Sequence, residues 1–520
     1  MHRRIQATCA KSAKSCIRKY IPVADIDTCC LSAARLPFQK QYKKIFIRVA
    51  NYATLKLFDM KRYFSQFFKD KAYIKLILVL AMPIAFGNLL SALLHVADGI
   101  MVSFLEDSVP KMAAVLLCNQ IIFIFSVIIF AIGSTAGVFT AQFYGKKDLN
   151  EVSKCVGISL IFAISLGVLF NLVCFLFAQN ILGLFSSDDL VIRYGEEFLK
   201  ISAFSFVPFA ASTVIGLALR GMRKNVPSLI VIFLGVCFNV FFNYVLMFGA
   251  LGFPNLGLKG VAWGTVIART MELVLIVLIC ILKKYPVIGS PKKMLSFNKQ
   301  LFKRNVAYMF PAMANEVFWV IGTTCYLAFV GKMANSTVLQ AAISITSYID
   351  KLIYVFLIGI GTASSVIIGN QLGAKKFEEA QKSGEKSIVF SVIVGLCCSL
   401  IMFLTIPLIP FLYSNESGEV IKIASNLIIV FGAFMVIRAL NFTFFIGILR
   451  GGGDAKFALI IESITIWGVA VPFCYLAAVV FGLSIELVYT FIFFEEVVKL
   501  VIVFFRFKSG RWRKNLVEDC

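Results

Sequence analysis

GSTAGVFTAQFYGKK at residues 133–147 returns as GTASSVIIGNQLGAK at residues 361–375, an offset of 228 that pairs Gly133 with Gly361 and Gly145 with Gly373. Working outward, AMPIAFGNLL (81–90) returns as MFPAMANEVF (309–318), pairing Pro83 with Pro311. LALRGMRK (217–224) returns as GILRGGGD (447–454), displaced by 230. Polar and conformationally special residues that recur in one order at one spacing mark an internal repeat.

What separates these anchors is almost wholly apolar. The chain has 520 residues, 59% hydrophobic and only 15% charged, with a mean hydropathy of +0.87. A soluble domain holds about 25% charged residues, and a single core stops growing beyond about 250–300 residues. The composition therefore specifies an integral membrane protein.

A transmembrane helix needs about 20 mostly apolar residues. Runs of that kind predict twelve spans, near 74–104, 111–141, 154–180, 196–219, 227–250, 258–282, 305–331, 337–369, 386–412, 421–449, 457–480 and 483–507. They are too long, and lack the ten-residue alternation, for barrel strands. The net charge of +23, from 51 basic against 28 acidic residues, is divided among short connections. Every second one is basic: Lys146-Lys147, Arg220 to Lys224, Lys283 to Arg304, Lys375-Lys376, Arg450 with Lys456, and Arg506 to Lys514. The alternate ones carry Glu106-Asp107, Asp188-Asp189, Glu416 and Glu419. By the positive-inside rule both ends are expected in the cytoplasm of a multi-pass protein of the plasma (inner) membrane.

Such scattered basic charge belongs to a membrane surface and excludes a nucleic-acid groove reader. The 14 cysteines sit largely in or beside apolar runs, where cysteine behaves as a small hydrophobe. With only His2 and His95 and no clustered cysteines, no zinc site is expected.

Six spans per half give both halves the same orientation. The expected fold is therefore an all-α polytopic membrane protein, with two six-helix repeats related by a pseudo-two-fold axis along the membrane normal, a transporter arrangement. The expected organisation is a basic segment at 1–59, a lobe at 60–282, a cytoplasmic linker at 283–304, a second lobe at 305–507 and a basic tail at 508–520. Segment 1–59 carries twelve basic and three acidic residues and no long apolar run. It reads as a disordered leader or as sequence upstream of a start at Met60.

HVADGIMVSFL in span 1, the GSTAG…QFYGKK turn, LALRGMRKNVP after span 4, NVFFNYVLMFGALGFPNLGLKGVAWGTVIA across spans 5–6, LRGGGDAKFAL after span 10 and IWGVAVP in span 11 together resemble the multidrug and toxic compound extrusion (MATE) family, its prokaryotic members most. The resemblance covers about residues 74–515. It implies export of organic, often cationic and amphipathic compounds by antiport with Na⁺ or H⁺, with no cofactor and no enzymatic activity. A monomer in the lipid bilayer, with small organic substrates as its partners, is the expected working unit.

Ionisable groups inside spans are the candidate site, since each costs about 2.5–3.5 kcal/mol at a helix centre on insertion scales. Asn88, Ser91, His95 and Asp98 form one stripe on span 1; adding 228 gives Glu316, Trp319, Thr323 and Tyr326 on span 7. The two stripes are expected to wall one cavity, or else to pack helices through hydrogen bonds. Asp98 matches the family's span-1 aspartate, which implies a cation or proton site there. The family's span-5 Asn-x-x-x-Asp appears as Asn239 and Asn243, so the second acid is an amide. These oxygens and Thr265 are expected to complete a hard-cation site. His95, one turn before Asp98, is either a proton partner or a structural hydrogen bonder.

Glu316 lies about one turn short of the family's span-7 glutamate, and Ala439 stands near the place of its span-10 acid. Glu316 and Asp350 are accordingly expected to attract cationic substrate. Arg269 with Glu272 and Glu495 with Lys499 read as intrahelical pairs. Gly145 and Gly373 read as helix stops, Arg220-Gly221 and Arg450-Gly451 as surface turns, and Pro83 and Pro311 as hinges. Gly-rich 450–454 lacks the ending of a phosphate loop, so the driving force is an ion gradient. The rival reading of the same architecture is a lipid-linked saccharide flippase, which the mostly acidic internal groups disfavour.

Overall fold

The computed structural model describes residue 65 and residues 67–414 and 416–518. Segment 1–59 lies outside the described residues. Twelve long helices follow: α1 Lys71–Ser103, α2 Ser108–Lys146, α3 Leu149–Gly183, α4 Asp189–Gly221, α5 Asn225–Phe248, α6 Leu258–Leu282, α7 Lys299–Val330, α8 Ser336–Gly373, α9 Phe377–Leu412, α10 Gly418–Arg450, α11 Ala455–Val480 and α12 Ile485–Lys508. Eleven of the described helices are long and apolar enough to span a membrane. α12 has the length but also carries Glu486, Glu495, Glu496, Lys499, Arg506 and Lys508. All twelve follow the sequence reading, mostly extended by a turn at the basic face.

The starts are set by capping side chains that satisfy the first free N–H groups. Asp70 accepts from the N–H of Tyr73 at 2.9 Å, Asn298 from that of Leu301 at 2.6 Å, and Ser417 from that of Val420 at 3.3 Å. Pro83 and Pro311 lie inside α1 and α7, each removing one rung of the helical ladder. α10 ends in π-helix at Thr443–Arg450, and α11 contains two π segments, Ile466–Ala470 and Leu476–Val480.

One apolar core, built on Phe125, Phe139, Phe206 and Val214, fills the first lobe and takes in Leu301, Tyr308 and Met309 from the start of α7. Two others fill the second lobe, around Leu427 and Met435 and around Phe444 and Phe507.

The repeated motif quoted first is where the lobes cross. A Cβ on Gly145 would lie 1.9 Å from the carbonyl oxygen of Asn370, and one on Gly373 would lie 1.8 Å from that of Gln142. Gln142 and Asn370 are themselves 228 apart, so the two contacts interchange under the pseudo-two-fold axis, which passes between α2 and α8. This corrects the helix-stop reading. The left-handed residues that end these helices are Lys147 and Lys375, at φ 63° and 60°, while the glycines let two backbones touch.

Every interlobe hydrogen bond found among the described residues lies at this basic face. Asn370 Nδ2 donates to the carbonyls of Ala141 and Gly221, both at 3.1 Å. The Tyr73 hydroxyl donates to the Ser383 carbonyl at 3.0 Å, and Lys386 pairs with Asp70. The tail after α12 is packed down: Trp512 is fully buried on Phe507. The Gln142 side chain spans the tail by accepting from the Leu516 N–H at 2.7 Å and donating to the Lys514 carbonyl at 3.2 Å.

Candidate cation-coupling site

In the first lobe the structure joins α1, α5 and α6 through four side chains singled out in the sequence. Asn243 Nδ2 donates to Asp98 Oδ1 at 2.8 Å and to Asn239 Oδ1 at 2.9 Å. Asn239 Nδ2 donates to the Thr265 hydroxyl at 3.2 Å, and that hydroxyl donates to the Val261 carbonyl one turn back. The i, i+4 spacing of the two amides puts them on one face of α5. Gly264 lets α6 press against that face, since a Cβ there would sit 2.1 Å from Asn243 Oδ1.

The donors and acceptors do not balance. Asn243 is fully buried, yet its Oδ1 has no hydrogen-bond partner, and a buried acceptor left unpaired costs about 1–3 kcal/mol. The connected network thus holds a carboxylate, an unpaired amide oxygen and a hydroxyl, oxygens of the kind that engage a hard cation or, at the carboxylate, a proton. Beside them Arg269 donates to both oxygens of Glu272, at 3.0 and 2.9 Å, and lies 5.1 Å from the Phe209 ring centre. This is the intrahelical pair read from the sequence. Gly235 makes room for it.

The rest of the α1 stripe is less engaged. The Ser91 hydroxyl donates to the Gly87 carbonyl at 3.1 Å, and Asn88 has a buried, unpartnered Nδ2. The side chain of His95 lies outside the described residues.

In the second lobe the two predicted acids are already neutralised. Arg450 Nη2 donates to Glu316 Oε1 at 2.6 Å. Arg438 grips Asp350 with two hydrogen bonds, at 2.6 and 2.9 Å, while its guanidinium faces Tyr354, Phe431 and Phe493. Neither acid presents the free carboxylate expected of a substrate attractor. Arg450 is no surface turn either: it is 1% exposed, at the π-helical end of α10, with its side chain on Glu316 of α7. Arg220 is likewise buried. Trp319 is exposed, the Thr323 hydroxyl donates back to Val320 at 2.9 Å, and half-buried Tyr326 packs at the second-lobe core.

The Glu495–Lys499 pair read from the sequence belongs to a larger cluster that the sequence reading did not assemble. Lys499 lies 2.8 Å from Glu495, 3.5 Å from Glu462 and 3.9 Å from Glu496. Thr465 donates to Glu495 at 2.6 Å, Asn441 Nδ2 to Glu496 at 2.6 Å and Asn315 Nδ2 to Glu462 at 3.2 Å. The signal was present: Glu462 interrupts AKFALIIESIT, an apolar span with no partner at i±3 or i±4.

The family model described as MatE matches residues 83–245 and 311–476, once in each lobe. Among curated relatives, the uncharacterized transporter YisQ of Bacillus subtilis is 27% identical over 423 residues, covering 80% of this chain and 90% of that protein. The probable multidrug resistance protein NorM of Thermotoga maritima is 25% identical over 455 residues, covering 85% and 94%. Among solved structures, a mutant of the Vibrio cholerae MATE transporter VcmN aligns with a TM-score of 0.77 at 16% identity, over 86% of this chain and 98% of that one. A MATE crystal structure in a bent conformation gives 0.74 at 18% identity, over 84% and 96%. At these identities the solved structures carry the fold alone.

Proposed function

The chain belongs to the MatE family of membrane transporters, and from that premise we propose that it exports small organic compounds, cationic and amphipathic ones above all, by antiport with Na⁺ or H⁺. The observation that carries this reading is the network of Asp98, Asn243, Asn239 and Thr265 with its unpaired Asn243 oxygen. The relatives named as probable multidrug resistance proteins support the choice of cargo.

Asp98 is the one carboxylate of that network, so it can be compensated by a coupling cation or by a cationic substrate, but not by both. Substrate arriving from the cytoplasm displaces the ion, and the ion returning from outside displaces the substrate. One charge moving down 100 mV supplies about 2.3 kcal/mol, enough for roughly a 40-fold gradient of a neutral solute at about 1.4 kcal/mol per decade. The stripes of Asn88, Ser91 and His95 and of Trp319, Thr323 and Tyr326 form the walls that substrate meets, and Pro83 and Pro311 are the joints that let the lobes rock. The working unit is a monomer in the plasma membrane, with the basic loops and both ends in the cytoplasm.

The test is efflux of a fluorescent cationic dye from inverted vesicles, with Na⁺ and H⁺ gradients imposed separately and Asp98→Asn in parallel. Ion-driven efflux in the parent and its loss in the variant is the expected result. Full ion-driven efflux by Asp98→Asn at equal expression refutes the exchange.

A further inference from the structure

The repeat exposes a charge that no carboxylate among the described residues answers. Arg450 and Glu316 pair in the second lobe. Their counterparts in the first lobe are Arg220, at the repeat's offset of 230, and Asn88, at its offset of 228. An amide stands where the acid should be and cannot neutralise a guanidinium. Arg220 is only 8% exposed, and among the described residues no carboxylate pairs with it.

Arg220 is among the residues that line a cavity of about 30 Å³ between α2, α4 and α8, where the two lobes meet. The lining contains both members of three repeat pairs: Ser134 with Thr362, Gly137 with Ser365, and Val138 with Val366. By symmetry two arginines would flank it, but Arg450 is held by Glu316. The Thr362 hydroxyl, in a residue 8% exposed, has no hydrogen-bond partner. The site thus offers one unpaired buried cation, an unpaired hydroxyl and the hydroxyls of Ser134 and Ser365 from facing lobes. A void of this size holds about one or two water-sized bodies and excludes a drug.

We propose that the cavity binds one small monovalent anion of chloride's size and charge, held by the Arg220 guanidinium and by hydroxyls of both lobes. The anion replaces the carboxylate that Asn88 lacks. Because it touches α2, α4 and α8 together, it pins the lobes in the arrangement closed at the basic face. The site is independent of the drug-export reading, and its test uses no transport.

The experiment is thermal unfolding of the purified full chain, titrated with chloride against gluconate at constant ionic strength. The parent is expected to gain Tm saturably in chloride and to stay flat in gluconate, as a ligand of the folded state requires. Asn88→Glu supplies an internal counter-ion in the Glu316 position and abolishes the chloride response; Asn88→Gln keeps it. Arg220→Gln also abolishes it. Should that variant fail to fold, Asn88→Glu alone decides. Bromide-soaked crystals give a direct readout, with an anomalous peak expected within hydrogen-bond reach of Arg220. A chloride response that is absent from the parent, or equal in parent and Asn88→Glu, overturns the proposal, as does a bromide map with no peak at Arg220.

Discussion

Gly145→Ala and Gly373→Ala test the crossing of the lobes directly. Real Cβ contacts stay above 3.0 Å, whereas the new methyl carbons would sit 1.9 and 1.8 Å from the opposing carbonyl oxygens. Each therefore forces a separation of about 1.1 or 1.2 Å between two backbones, and neither can swing aside as a side chain would. Overpacking of this kind costs about 1–3 kcal/mol. The cost falls only on the arrangement in which α2 and α8 touch, so it biases the protein away from that arrangement by about 5- to 150-fold. The assay is maleimide labelling of a single cysteine at Val366, buried in this joint, with the chain's 14 natural cysteines replaced. Labelling should accelerate in either glycine variant and Tm should fall. The opposite sign is equally defined, because alanine inside a helix is intrinsically better than glycine by about 0.8–1.0 kcal/mol. An alanine variant that raises Tm and labels at the parent's rate refutes the close crossing.

Three further outcomes follow from buried charge. Arg438→Met leaves Asp350 uncompensated and should cost about 3–5 kcal/mol, while Arg438→Met with Asp350→Leu should recover most of it; a double-mutant cycle by thermal unfolding measures the coupling. Lys499→Met strands Glu462, Glu495 and Glu496 together and should be at least as damaging, with Glu495→Gln restoring part of the loss in the same assay. Asp70→Asn keeps the helix cap but removes the ion pair with Lys386, whose hydrogen bond holds the Asp70 carboxyl below its ordinary value of 3.8. A lowered pKa stabilises above that value and is lost as pH falls through the folded one. The variant should therefore lose under about 1 kcal/mol at pH 7, given the pair's partial exposure, and its deficit should shrink progressively as pH falls below 3.8.

The helices were legible because each is a long apolar run closed by charge, and the repeat was legible because glycine, proline and arginine anchors recur in order. Asp98, Asn239, Asn243 and Thr265 could be assembled from the sequence because spacing along α5 fixes a common face and a lone acid in lipid draws notice. Partners on different helices were not legible. Nothing in the spacing of Glu316 and Arg450, 134 residues apart, announces their contact; it depends on how α7 packs against the end of α10. For the same reason Gly145 looked like a stop, since a residue near a helix end and one at a helix crossing share the same local sequence.

The crossing also bears on how such a chain came to be. Gly145 on Asn370 and Gly373 on Gln142 are one contact made twice, the signature of a self-complementary interface between two copies of a half. Two separate identical copies would express every substitution on both sides of the axis. Once the halves share a chain, each side mutates alone. Asn88 opposite Glu316 and Asp98 opposite Tyr326 record that freedom. A pair of identical halves must place an acid at each of these positions twice or not at all, while a fused chain can place it once.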